Sequence, residues 1–190
     1  DVATWGGAPY AQVRNDLAAG DAAMTGREFE SALAHFDAMA RGLDGLERQL
    51  PEVIRTRLAD AQAAFAAGRA AEAQDKYAAV LQVAPDDAAA RSGIGRSRVL
   101  DEVLRETAVG ARAEQAGEVS AAIAAYQRAL KLDPATTVAR AGIARLGARE
   151  ANDAYASAMA QAMAALARRD YAAAQSAFER AGRIRPGAPE

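Results

Sequence analysis

Apolar residues recur three and four positions apart along most of the chain, and glycine or proline falls where that recurrence stops. This spacing lines one face of a 3.6-residue helix and does not fit the two-residue alternation of a half-buried strand. Residues 55–85 read as a helix to Ala67, a turn at Gly68, a helix from Ala70 and a stop at Pro85. Residues 103–134 repeat the scheme, with a helix to Ala116, a turn at Gly117 and a stop at Pro134. Residues 155–186 do so again, with Arg169-Asp170 at the turn and Pro186 at the end. Glycine after a helix and proline just beyond one are ordinary stop signals.

The second helices overlay one another as AEAQDKYAAVLQVAP, AAIAAYQRALKLDP and AAAQSAFERAGRIRP. In each, a small residue stands four before an aromatic: Ala73 and Tyr77, Ala122 and Tyr126, Ala174 and Phe178. Each aromatic is followed eight residues later by proline, at 85, 134 and 186. An earlier stretch, REFESALAHFDAMA, fits the frame with Ala32 and Phe36 but lacks the proline.

On these residues the chain resembles the tetratricopeptide repeat (TPR) family, whose unit is a helix–turn–helix with small residues where the two helices close and an aromatic that packs into the next unit. Ala61, Gly110 and Ala162 supply the small residue of the first helices, and YQRALKLDP at 126–134 matches the second helix well. The resemblance implies an all-α, right-handed α-solenoid of about four antiparallel hairpins over 1–190, divided approximately as 9–50, 51–85, 86–134 and 135–186. Where the family has a large aromatic early in the first helix, Arg57, Glu106 and Ala158 stand instead, so the mouth of each hairpin must close differently.

The period departs from the family's. Phe36 to Tyr77, Tyr77 to Tyr126 and Tyr126 to Phe178 are separated by 41, 49 and 52 residues, against about 34 in a TPR. The surplus follows each proline, where ARSGIGR (90–96) and ARAGIAR (139–145) repeat one another. These strings read as the starts of elongated first helices, about 86–116 and 135–168, that overhang their hairpins. The alternative is a short separate helix, with breaks near Gly93 to Gly95 and near Gly147.

Composition agrees with a helical reading. Half the chain (51%) is hydrophobic, but only 5% is aromatic and alanine dominates; alanine favours helix and lets neighbouring helices approach closely. A net charge of −2, with both signs interspersed, gives no field to gather nucleic acid. The absence of cysteine excludes disulfides, thiolate metal sites and a cysteine nucleophile. No apolar run approaches the roughly 18 residues of a membrane span, so no direct membrane insertion is expected. His35 is the one histidine and has no partner set for a metal site or triad. Asp86, after Pro85, reads as a helix cap. GIGR at 93–96 has neither the preceding strand nor the Lys-Ser/Thr of a phosphate loop. Trp5 is expected to cover an end of the stack, since terminal repeats must hide their faces.

No catalytic set, metal site or cofactor is therefore expected, and the function read from the chain is that of a non-catalytic scaffold binding a protein or peptide partner. The family geometry puts the inner faces of the first helices in contact with such a partner: Arg55, Leu58 and Gln62; Leu104, Thr107, Ala111 and Glu114; and Met159 and Met163. Of these Arg55, Gln62, Glu114, Met159 and Met163 are the candidate contact residues, methionine being adaptable at binding surfaces. The Lys and Asn of the family's carboxylate clamp are not at these positions. A second reading is a spacer or self-assembling module, a possible homo-oligomer, in a larger bacterial envelope protein; the AR-x-GI-x-R strings are similar to repeat regions of bacterial membrane-tethered proteins. Because the sequence opens at Asp1 without methionine, a periplasmic or membrane-attached setting is the expectation over a cytoplasmic one.

Overall fold

The protein, as a computed structural model in which residues 2–186 are described, is all-helical: one short 3-10 turn (Val2–Thr4) and seven α-helices, with no strand among the described residues. The helices are α1 (Gly7–Thr25), α2 (Phe29–Ala66), α3 (Ala70–Leu81), α4 (Ala88–Gln115), α5 (Val119–Leu132), α6 (Thr137–Ala167) and α7 (Tyr171–Ile184). None is long and apolar enough to cross a membrane.

Four of the connections are alike because they solve the same problem of releasing a helix's last carbonyls. Each contains one residue in the left-handed region: Arg27 (φ 61), Gly68 (φ 74), Gly117 (φ 78) and Arg169 (φ 59). The residue after it donates back across the turn, as Glu28 N–H to Ala23, Arg69 to Ala64, Glu118 to Ala113 and Asp170 to Ala165. This is a Schellman closure, which normally takes glycine at the left-handed position. Arg27 and Arg169 hold that conformation with a side chain, at roughly 1 kcal/mol each.

The chain forms two compact units, 1–101 and 102–190. In the first, α2 packs on α1 and α3. Its core gathers Ala61 and Ala64 of α2, Ala73, Tyr77 and Val80 of α3, and Ala90 at the start of α4, flanked by Ile54, Leu58, Phe65, Leu81 and Ile94. In the second, α6 packs on α5 and α7. Ala122, Ala125, Tyr126 and Ala129 of α5 are buried; the buried residues of α7 are all alanine, Ala174, Ala177 and Ala181, and α6 buries Ala158, Ala162 and Ala165 in its second half. Such an interface has little apolar area per residue and depends on close backbone approach.

The first helices of the later repeats are unbroken. Residues 86–116 and 135–168 were expected as elongated helices, and α4 and α6 run through Gly93, Gly95 and Gly147 without interruption. The expected division at 50/51, however, falls inside α2, which continues through Pro51. Proline there deletes one helical hydrogen bond and crowds the carbonyl four residues earlier. The helix survives because both flanks are held: Leu46 is buried on one side of Pro51, and Ile54, Leu58 and Ala61 pack on the other. The cap after Pro85 is also shifted by one residue. Asp87, not Asp86, accepts from Ala90 N–H at 2.8 Å, while Asp86 pairs with Arg91 at 2.6 Å.

Candidate partner-binding surface

One spacing recurs at every helix pair. Gly20, Ala61, Gly110 and Ala162 each stand sixteen residues before Phe36, Tyr77, Tyr126 and Phe178. Gly20, which the sequence reading left out, completes the set. A Cβ on Gly20 would lie 2.5 Å from the Phe36 ring, and one on Gly110 would lie 2.7 Å from Tyr126, so only glycine fits under these rings. The rings of Tyr77 and Tyr126 are gripped on a second side. Another sixteen residues on stand Gly93 and Gly142, where an added Cβ would run into Tyr77 and Tyr126 respectively.

This second grip explains the repeated strings. In ARSGIGR, Ala90 is fully buried, Arg91 donates to the Pro85 carbonyl at 2.7 Å and Gly93 seats the ring. In ARAGIAR, Ala139 is fully buried, Arg140 donates to the Pro134 carbonyl at 2.6 Å and Gly142 seats the ring. The final arginines diverge. Arg96 lies 4.6 Å over the Phe65 ring, whereas Arg145 makes two hydrogen bonds, at 2.6 and 2.7 Å, to Glu114 at the position matching Phe65. The surplus residues of the long helices are thus packed on the preceding aromatic and do not stand free.

Four residues before the small residue of each first helix, polar side chains cross three of the helix pairs. Arg57 donates to the Ala79 carbonyl of α3 at 2.9 Å and to Thr4 at 3.2 Å. Glu106 accepts from Arg128 of α5 at 2.9 Å. Asp16, at the matching place in α1, lies 4.0 Å from His35 Nδ1. In the last pair Ala158 is buried at that position and Arg180 of α7 reaches Gln161 of α6 instead, at 3.0 Å.

The candidate contact residues fall into two groups. Arg55 and Gln62, seven residues apart on α2, are both exposed, and Arg55 holds Glu52 at 2.9 Å. That hydrogen bond draws the Glu52 carboxyl below its ordinary range. On α6, Met159 is half-buried and Met163 exposed, one turn apart. Glu114 is engaged within the fold: it accepts from Arg145 and, at 3.0 Å, from the Tyr126 hydroxyl. The Arg145 bonds, and then the Tyr126 bond, hold its carboxyl below the usual range against a raising effect of burial. Burial first and the Glu114 bond second push the Tyr126 phenol up. Nothing in the spacing of Glu114 distinguished an intramolecular partner from a foreign one; the pairing follows from α6 crossing beside α4 at Arg145. Of the other inner-face positions Leu104 is exposed and Thr107 buried, its hydroxyl donating to the Leu104 carbonyl.

Compared with known protein families the chain matches no family model, and no significant match is found among curated proteins or solved structures. The functional reading therefore rests on the chain's own geometry. Among the described residues no group of three or more His, Asp or Glu side chains is placed to hold a metal ion.

Proposed function

We propose that the chain is a TPR-like helical repeat, a right-handed stack of four hairpins with elongated first helices, that binds a protein or peptide partner and carries out no chemistry of its own. What supports this reading is the recurrence of one small-residue and aromatic spacing in four helix pairs, with glycine packed under the ring in two of them, while apolar side chains on the first helices, Leu104 and Met163 among them, remain exposed. Repeated packing of one unit on the next gives an extended surface, and such surfaces hold extended peptides or helices. Met159 and Met163 form the adaptable apolar contact of the second unit and Arg55 and Gln62 are polar contacts of the first; Glu114 is engaged within its own unit.

Affinity capture on the immobilised chain, followed by cross-linking and mass spectrometry, tests the contact on the second unit. A partner cross-linked beside Met163, and lost at least tenfold in affinity on Met163→Glu, is the expected result. Binding that is unchanged by Met163→Glu and by Met159→Glu removes this contact as the site. Met163 is exposed, so the substitution leaves the helix packing alone.

A further inference from the structure

The first helix pair lacks the cover that closes the second and third. Tyr77 and Tyr126 are each met from outside by a glycine sixteen residues later, Gly93 in α4 and Gly142 in α6. The same place after Phe36 is Glu52, on the uninterrupted helix that carries the ring, so α2 cannot fold back over it. The cause is internal to the chain: Asp44 continues the helix where Pro85 and Pro134 follow the others. The difference shows position by position. On α2, Phe29, Leu33, Phe36, Ala40 and Leu43 alternate four and three residues apart, which draws them into one stripe along the helix. Phe29 and Leu33 are 64% and 63% exposed, and Ala40 and Leu43 are exposed as well. Their counterparts in α3, Ala70, Gln74, Leu81 and Ala84, are half-buried. Those in α5, Val119, Ile123, Leu130 and Asp133, are half-buried or buried. On α1, Leu17 and Met24 flank Gly20, on which Phe36 sits, and both are exposed, whereas their counterparts Leu58 and Phe65, and Thr107 and Glu114, are not. The two stripes make a groove between α1 and α2 with Phe36 between them, and every side chain in it is apolar. Adjoining large apolar side chains at a surface mark a docking site, and a stripe of this spacing takes a helix.

The edge of the groove and the chain's own covers say which helix. Glu30, Asp37 and Asp44 each stand next after a stripe residue, seven apart, and all three are exposed, so they form an acidic row along the free edge of α2. Arg41 and Arg48 stand farther round α2, away from the stripe. In the covered pairs the covering helix brings arginine to this edge: Arg91 donates to the Pro85 carbonyl and pairs with Asp86, and Arg140 donates to the Pro134 carbonyl. Asp44 stands where those prolines stand, eight residues after the ring. Arginine also reaches the first helix in both, Arg96 over Phe65 and Arg145 to Glu114. We propose that the α1–α2 groove binds a basic amphipathic helix of another protein, with a glycine or alanine seated on Phe36 and an arginine at Asp44, as α4 and α6 cover Tyr77 and Tyr126 within the chain. The acidic row steers and orients that helix and the apolar stripe supplies the buried contact. A second copy docked groove to groove would set two acidic rows against each other, and like charges so placed disfavour the contact. The site uses none of the side chains of the Met159 and Met163 contact and does not rest on it.

Fluorescence anisotropy with a labelled synthetic helix tests the groove. The probe has the sequence of residues 136–149, TTVARAGIARLGAR, held helical by a hydrocarbon link between the places of Ala144 and Ala148, because so short a helix is marginal alone. Saturable binding to the 190-residue chain is expected, several-fold weaker in about 1 M salt, where charges are screened beyond roughly 3 Å. The double variant Phe29→Gln, Leu33→Gln should bind at least tenfold more weakly, with unchanged helical circular dichroism because both side chains are mostly exposed. Asp44→Asn should weaken binding several-fold, and a probe carrying Gly142→Leu should lose at least tenfold on the unaltered chain. Absence of binding, binding that survives the double substitution, or equal binding by the leucine probe overturns the proposal. Dimers of the chain in sedimentation, abolished by the same double substitution, would give the groove to a second copy and overturn it equally. Met163→Glu should leave probe binding unchanged, so failure of this site and failure of the methionine contact are read separately.

Discussion

A glycine in the middle of a helix ordinarily costs about 1 kcal/mol relative to alanine, and this chain retains several there for different reasons. At Gly93 and Gly142 the hydrogen is the only substituent that fits against a tyrosine ring; at Gly95, two residues along the same helix, the space beside it is open. Gly93→Ala and Gly142→Ala are therefore expected to destabilise the fold by about 1–3 kcal/mol through overpacking. Gly95→Ala should stabilise it by about 0.5–1 kcal/mol. Urea unfolding of the three variants separates a ring seat from a mere helix weakness. Equal effects at 93 and 95 would refute the ring seats.

Glu114 poses a different question at the same scale. Its folded pKa lies below the unfolded value, so its bonds to Arg145 and Tyr126 stabilise the protein above the ordinary carboxylate value of 4.5 and are lost as pH falls through the lower folded value. Tyr126, whose pKa is raised, contributes at all lower pH and loses its contribution as pH rises beyond its ordinary value of 10. Glu114→Gln is expected to cost about 1 kcal/mol at neutral pH, a modest figure because Arg145 is largely exposed. It should also flatten the stability loss below pH 4.5. Thermal melts from pH 3 to 7 check both effects, and an unchanged acid slope would show that the pairing contributes nothing.

At the scale of elements, proline position decides which helices turn back. Pro85 and Pro134 follow Tyr77 and Tyr126 by eight residues, end the second helices and let the next helix return over the ring. Pro51 stands fifteen residues after Phe36, too late to serve that purpose, and α2 absorbs it. Pro51→Ala restores the missing hydrogen bond and is expected to raise stability by about 1–3 kcal/mol. Helicity in circular dichroism should not fall. A loss of stability would mean that the proline bend itself is needed to seat Ile54 and Leu58 against α3.

For the whole molecule, the consequence of that proline pattern is an incomplete cover. The second grip that closes Tyr77 and Tyr126 is lacking at Phe36, and Phe29 and Leu33 on the same helix stay exposed.

The helical class, the turns at Gly68, Gly117 and Arg169, the small-residue and aromatic pairs and the continuity of the two long helices were all legible in the sequence. They are local: helical periodicity, left-handed turn positions and proline stops act within a few residues and carry their own signatures. The passage of α2 through Pro51 was not, because whether a proline breaks a helix depends on what packs on its flanks. Nor was the engagement of Glu114, which is set by an arginine thirty-one residues away, nor the polar closure at Arg57 and Glu106, whose partners lie on other helices. The sequence by itself determined that helices form and where they turn. Only the tertiary structure decided which faces those helices cover and which they leave open, because covering a side chain requires a second segment whose placement no local pattern specifies.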